Sequence, residues 1–531
     1  MFGRIAIAAA GVVVGATGLR AQARTAPDCI ADLRIDPLLV ATVREYRNVN
    51  RTIGSGIWPG WRANTVPILL YRPGVQDVLI GAPRVPAGFR RYCGRPLLAG
   101  ETIYVRNDTT VMALDDQNTS IDLDSMRVLV VADQYSRLRN QLRDMLGRPA
   151  EFQNRWLGAW NFISSPYDDL RTMLHESFHV HQNRLAPDKG ADESAVATYP
   201  VLDPANNALT ALEGMILRDA ILATDPGIRR AKVAQFLAVR AARRAGLDSA
   251  AIGYEDLNEF AEGLARYVEL RFLQLAPRVT PTAEMYLRAG FTGYRGAADR
   301  ALRRSLDDMV QVAGNSDDRF GNRYGGGPLR FRLYYLGSAQ GLLLDDLAPD
   351  WKGRIFGDGV YLTDLLERAL ALSAADREAA FAQARADYGY QQILAEKEAF
   401  AAEGRRLIQA RVDSIVGTRR TLVTIRYGAA GERMGISYTP FGVTAINNRS
   451  AIYDLVPIAI RFANRVLLRM KAVVPTIVDR SAHTITFAIG TPAGGIVAAA
   501  DGSIDVGEFS LSASANTTVA VDGNRVTIEL R

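Results

Sequence analysis

The stretch Ser165-Pro166-Tyr167-Asp168-Asp169-Leu170-Arg171-Thr172-Met173-Leu174-His175-Glu176-Ser177-Phe178-His179-Val180-His181-Gln182 decides how the rest of the chain is read. Its first residues spell a helix start. Ser165 caps, Pro166 suits the first helical position, and Asp168 and Asp169 set negative charge against the positive end of the helix dipole. Pro187 supplies a stop, so the sequence predicts a helix over about residues 166–185. Within it His175 and His179 lie one turn apart on one face, with Glu176 roughly 100° round. H-E-x-x-H at this spacing offers two imidazoles to one metal ion and places a carboxylate beside it as a base. Three of the chain's four histidines fall within these seven residues, which argues against a chance match.

A catalytic zinc takes three protein ligands and keeps a fourth position for water. His181 lies two residues past His179 on another helix face, and is expected to be hydrogen-bonded behind the site. His483 is remote in a β-rich region, where a structural role at a strand edge is expected. The third ligand is therefore expected to be a carboxylate. Two helical stretches offer one, Leu212-Glu213-Gly214 and Ala261-Glu262-Gly263-Leu264-Ala265-Arg266-Tyr267.

At the second of these the chain resembles the gluzincin metallopeptidases, including the aminopeptidase N and glycyl aminopeptidase-like families, in which an E-G-x-A-x-Y helix follows H-E-x-x-H. The resemblance implies that Glu262 completes a site for one zinc ion, and that Glu176 is the general base of peptide-bond hydrolysis. Small residues at Gly263 and Ala265 would let this helix approach the motif helix closely. Glu213 then becomes a candidate to accept a ring N–H from a ligand histidine. In aminopeptidase-N-like enzymes a Tyr-x-x-Gly supplies an oxyanion-stabilising phenol. Tyr334-Tyr335-Leu336-Gly337 matches it, which implies that role for Tyr334. The chain departs from the pattern in three places: the spacing from His179 to Glu262 is longer, Ala261 replaces an Asn, and no G-x-M-E-N segment is present. Gly158-Ala159-Trp160-Asn161 lacks the glutamate that grips a substrate amino terminus. The expected activity is thus a zinc-dependent metallopeptidase acting on a peptide or protein. A zinc hydrolase for another bond and a non-catalytic binding protein with a structural metal are the alternatives.

Outward from this centre, the N-terminus reads Met1-Phe2-Gly3-Arg4, an apolar run over 5–18, and Ala21-Gln22-Ala23. This is the pattern of a secretory signal peptide, too short for a stable membrane span. Cleavage after Ala23 would remove Arg4 and Arg20 and no acid, taking the formal charge from +6 to +4. A secreted or periplasmic location, with no later membrane span, is expected. In an oxidising compartment the two cysteines, Cys29 and Cys93, are expected to form a disulfide. The basic excess is spread through the chain. Pairs such as Arg229-Arg230 and Arg243-Arg244 read as solvated helix faces without aromatic interleaving, so nucleic acid is not an expected partner.

The 531 residues suffice for two or three domains. Residues 24–136 carry short β-branched runs such as Ile68-Leu69-Leu70-Tyr71 and Val128-Leu129-Val130-Val131, with a rigid aromatic loop at Ile57-Trp58-Pro59-Gly60-Trp61. Residues 137–417 turn to helical periodicity over 207–224, 229–245, 330–347 and 374–409, the last a solvated or bridging helix. Within the same region Asp256-Leu257-Asn258-Glu259 resembles a capping box opening a helix through Leu275. Residues 418–531 alternate at period two and include a hairpin at Asp522-Gly523-Asn524. The expected fold is α+β and multidomain: a β-rich N-terminal domain, a mainly helical zincin-like centre, and a C-terminal β-sandwich or barrel-like domain.

Overall fold

The computed structural model describes residues 29–72, 74–107, 119–132, 165–315, 322–428, 434–462, 466–512 and 517–530. The predicted signal peptide and the Gly158-Ala159-Trp160-Asn161 segment lie outside the described residues. The chain is an α+β protein with an N-terminal sheet region, a helical centre and C-terminal sheets.

The N-terminal region holds β1 (Cys29–Ile30), α1 (Pro37–Ile57), β2 (Ile68–Arg72), β3 (Gln76–Ile80), β4 (Arg90–Tyr92), β5 (Ile103–Asn107), β6 (Thr119–Leu123) and β7 (Met126–Ala132). Its strands form one sheet in the order β1-β4-β5-β3-β2-β7-β6. A Cys29–Cys93 disulfide ties β1 to the end of β4. Helix α1 was not expected from the sequence. Its start is marked by Asp36, whose side chain accepts from Leu38 N, and by Pro37. Its buried residues Leu39, Val43, Tyr46, Val49, Ile53 and Ile57 recur at helical spacing. One face of the sheet, with Ile68, Leu70, Val78, Leu129 and Val131, shares a single hydrophobic core with α1 and the central helices. Trp58 and Trp61, at the end of α1, are buried in that core. Trp58 packs against Phe178, Tyr267 and Trp351 at ring-centroid distances of 4.8, 5.9 and 5.1 Å.

The centre comprises α2 (Pro166–Leu185), α3 (Pro204–Leu222), α4 (Pro226–Arg244), α5 (Ser249–Asn258), a π-helical turn (Glu259–Gly263), α6 (Leu264–Leu275), α7 (Ala297–Ala313), α8 (Gly326–Leu347), α9 (Leu362–Leu370), α10 (Ala374–Asp387) and α11 (Tyr390–Val416). Helix α2 has the predicted bounds and the predicted Ser165 cap. The expected capping box at Asp256 does not open a helix: Asp248 caps α5, and the chain runs on through the π turn into α6. The long charged stretch is divided at Gly389, whose φ of 62° suits a residue without a Cβ. Helix α11 is the bridge expected there. Its Gly404 sits against Leu202 and Tyr324, and its Ile415 packs with Ile452 and Ile477 of the C-terminal sheets.

The C-terminal region contains β8 (Thr421–Tyr427), β9 (Gly435–Ser437), β10 (Val443–Ala445), β11 (Ser450–Tyr453), β12 (Ala459–Arg461), β13 (Leu467–Met470), β14 (Thr476–Asp479), β15 (Thr484–Ile489), β16 (Ile504–Asp505), β17 (Phe509–Leu511), β18 (Thr517–Asp522) and β19 (Arg525–Leu530). They form sheets ordered β10-β11-β14-β15-β8-β19-β18 and β16-β17-β13-β12-β9. The two share one core, where Phe487 meets Phe509 at 5.2 Å, as in a sandwich. The hairpin at Gly523 is present. Among the described residues no helix is long and apolar enough to cross a membrane.

Candidate metal centre

Helix α2 buries Leu170, Leu174, Ser177, Phe178 and His181 and turns His175 and His179 toward the π turn. That turn carries Glu262. Three residues apart on a regular α-helix, Glu259 and Glu262 would share a face. Here Glu259 reaches back to Arg240 and Gln340, while Glu262 faces the histidines. Glu262 Oε2 lies 3.2 Å from His175 Nε2 and 3.5 Å from His179 Nε2. One ligand atom from each of the three residues lies within 4.8 Å of the others. Tetrahedral zinc with bonds of about 2.0–2.1 Å has ligand-to-ligand edges of about 3.3 Å, so the donor set and its spacing fit such an ion.

The imidazoles are oriented for ligation. His175 Nδ1 lies 2.8 Å from Glu269 Oε1, and Arg171 holds the other Glu269 oxygen at 2.6 Å. An ionised carboxylate only accepts, so Nδ1 carries a proton, and Nε2, directed at Glu262 Oε2, is the nitrogen placed for a metal ion. His179 Nδ1 is 2.9 Å from Gln182 Oε1. The Gln182 amide nitrogen donates to the carbonyls of Phe260 and Ala261 at 2.7 and 3.0 Å. That fixes Oε1 as the acceptor and frees His179 Nε2 in the same way. Gln182 also ties α2 to the turn that bears Glu262.

Sequence reading missed Glu269 and Gln182, although each had a signal. Glu269 is seven residues past Glu262, two turns along the same face, and Gln182 is three past His179. The candidate named instead, Glu213, is not beside a ligand histidine. It is fully buried and bonded to Arg240 at 2.8 Å and Arg243 at 2.6 Å. Arg243 is accordingly buried too, not part of a solvated face. The close approach at Gly263 also differs from expectation: a Cβ there would stand 2.7 Å from Gly337 Cα, so it is α8, not α2, that the glycine admits.

Helix α8 brings Tyr334 to the site, its ring stacked on His175 with centroids 6.3 Å apart. Arg330, one turn earlier, donates from Nε to Tyr334 Oη at 3.0 Å and from Nη2 to Glu262 Oε1 at 2.6 Å. Its Nη1 donates to Glu193 at 2.6 Å. Among the described residues none forms a hydrogen bond or ion pair with the Glu176 carboxylate. Burial raises the Glu176 pKa, with His179 and His175 opposing. Burial disfavours charge on His175, yet its hydrogen bonds to Glu262 and Glu269 win and raise its pKa to about 10. Burial likewise opposes charge on Glu262, but His179 and His175 hold its carboxyl well below the usual range. Burial, then Glu262, pushes the Tyr334 phenol well up.

His181 lies behind the site as expected. Arg184 donates to its Nδ1 at 3.3 Å, while Nε2 is buried without a hydrogen-bond partner. Its pKa falls to about 4, through burial first and Arg184 second. His483 is not on a strand edge. It sits in the turn between β14 and β15 with φ 53°, stacked on Tyr427.

The chain matches no protein-family model, no curated protein sequence and no solved structure.

Proposed function

We propose that the protein is an exported zinc-dependent metallopeptidase of the gluzincin type, with His175, His179 and Glu262 as ligands of one zinc ion and Glu176 as general base. One observation carries this reading. The Nε2 atoms of two imidazoles, already oriented by Glu269 and Gln182, meet a single oxygen of Glu262 at tetrahedral-edge distances beside an unengaged carboxylate. The order H-E-x-x-H, E-G-x-A-x-Y, Y-x-x-G supports the gluzincin assignment, and the Cys29–Cys93 disulfide supports export.

Zinc held by His175, His179 and Glu262 would supply an acidified water and a Lewis acid for a substrate carbonyl. Glu176 takes a proton from the attacking water and delivers it to the leaving amine. Its raised pKa makes it a stronger base than an exposed glutamate. Tyr334 keeps its proton through neutral pH and donates to the oxygen on which negative charge develops. Glu269 and Gln182 hold the rings, so no reorientation is needed as the reaction proceeds.

The test combines metal content with a broad peptide library read by mass spectrometry. Purified mature protein is expected to hold about one zinc per chain, and to lose cleavage on chelation. Glu176→Gln is expected to retain zinc and lose about 10²–10⁴-fold in kcat/KM. Protein without near-stoichiometric zinc contradicts the mechanism, and equal cleavage by wild type and Glu176→Gln removes Glu176 as base. Zinc-loaded protein that cleaves no peptide points to hydrolysis of a different bond.

A further inference from the structure

The guanidinium of Arg330 has a partner on every nitrogen. Nη2 binds Glu262 Oε1, the oxygen that the histidines do not share, so Glu262 presents Oε2 alone to them. Nε donates to Tyr334 Oη. That oxygen accepts there, and the phenol keeps its own proton to donate. Nη1 binds Glu193 Oε1, and the other Glu193 oxygen accepts from the Tyr254 hydroxyl at 3.1 Å. Only a planar fork reaches three such acceptors at once; an ammonium on a flexible stem does not.

The face of the guanidinium is covered from another domain. Phe441, in the loop between β9 and β10, lies 5.9 Å from Arg330 and packs on Phe331 at 5.6 Å. The same loop presses its Pro440 carbonyl onto Gly326, where no side chain would fit, and Asn322 is hydrogen-bonded to Thr444 of β10. The C-terminal sheets therefore dock on the N-terminal end of α8, within two turns of Tyr334.

We infer that Arg330 is the positioning residue for both Glu262 and Tyr334, and that the C-terminal domain, through Phe441, holds Arg330 in that posture. The active centre is then built from two domains, the β domain bracing a guanidinium that aims a ligand and a phenol. This rests on the metallopeptidase reading above.

The test is a double-mutant cycle on the full mature chain, with zinc affinity measured by competition against a chromophoric chelator. Arg330→Met is expected to weaken zinc binding about tenfold and to lower kcat about 10–100-fold with KM nearly unchanged. Adding Tyr334→Phe to Arg330→Met is expected to cost little more than Arg330→Met alone, because the phenol is already misaligned. Arg330→Lys, which keeps the charge without the fork, guards against a folding defect and is expected to fall between wild type and Arg330→Met. Phe441→Ala shifts both readouts in the same direction by about threefold or more, and Phe441→Trp restores them. Wild-type zinc affinity in Arg330→Met, or full additivity with Tyr334→Phe, overturns the positioning role. Unchanged readouts in Phe441→Ala overturn the part given to the C-terminal domain. Wild type that binds no zinc overturns the parent reading itself, a result separable from both.

Discussion

One continuous run of helix, α5 through the π turn to α6, carries Glu255, Glu259, Glu262 and Glu269, and the two halves of this series meet opposite kinds of partner. Glu255 and Glu259, joined by Glu213 of α3, face Arg240 and Arg243 at 2.6–2.8 Å, all five fully buried. Glu262 and Glu269 face the imidazoles of His175 and His179, with Arg330 and Arg171 at the edges. Guanidinium is charged at any accessible pH, so the first cluster is closed. Burial opposes ionisation of Glu255 and Glu213, yet Arg243 for the one and Arg240 for the other hold their pKa values below the ordinary range. Imidazole, unlike guanidinium, can give up its proton and offer a lone pair to a metal ion. The second cluster thus pairs its carboxylates with groups whose proton a metal ion could replace, which no guanidinium of the first cluster allows. Burial opposes charge on His175, yet its hydrogen bonds to Glu262 and Glu269 raise its pKa to about 10, so a metal ion bound there would displace a proton. The lesson is that the partner, more than the glutamate, decides whether a buried carboxylate is locked in an ion pair or left facing groups that a metal could share.

The comparison breaks most visibly in the closed cluster. Arg243→Met leaves Glu213 ion-paired with Arg240 alone and Glu255 with Arg244 alone, and is expected to cost about 3–5 kcal/mol in urea unfolding, with the zinc affinity of the folded fraction little changed. A loss below about 1 kcal/mol would mean that the cluster is not an interlocked ion network. In the open cluster the effect moves from stability to metal. Glu269→Gln keeps the shape but removes the charge behind His175, and is expected to weaken zinc binding about 10–100-fold while leaving the unfolding midpoint nearly in place. Equal zinc affinity in the two proteins would show that Glu269 does not tune its histidine.

A third pair lies between these extremes. Asp77 in the N-terminal sheet receives Arg106 on Oδ2 alone, and its Oδ1 is buried without a partner. Burial outweighs Arg106 and raises the Asp77 pKa from 3.8 to about 6. A folded pKa above the unfolded one gives stability that is full below about pH 4 and lost as pH rises through 6. Asp77→Asn is therefore expected to stabilise the protein by about 1–2 kcal/mol at pH 8 and by nothing below pH 4. Melting temperatures of both proteins across pH 4–8 check this, and a constant difference over the range would contradict it.

Much of this was legible in the sequence because it rests on local chemistry. Ser165 and Pro166 fix the start of α2 and the four-residue histidine spacing fixes its reactive face, so His175, His179 and Glu176 could be placed from the chain alone. The three-region architecture followed from the change of period from two to 3.6 and back. The preference for Glu262 over Glu213 rested on the E-G-x-A-x-Y resemblance and not on local spacing, because both lie on helices beside glycine; in the structure Glu213 faces Arg240 and Arg243 across the core while Glu262 faces the histidines. An apolar helix face interrupted by Arg240 and Arg243 was the available signal that buried carboxylates lay opposite. The π turn, the Gly263–Gly337 crossing and the Phe441 contact depend on how distant segments pack, and no local spacing announces them. Helix α1 was missed although Asp36-Pro37 is the same kind of start as Asp203-Pro204 and Asp225-Pro226.

The most direct measurement is zinc-edge anomalous diffraction from crystals of the mature protein grown with zinc. The expected result is one strong peak about 2.0–2.2 Å from His175 Nε2, His179 Nε2 and a Glu262 oxygen, with Glu269 and Gln182 still on the outer ring nitrogens. A peak elsewhere, or direct His175–Glu262 contact unaltered at saturating zinc, would contradict a metal centre at this site.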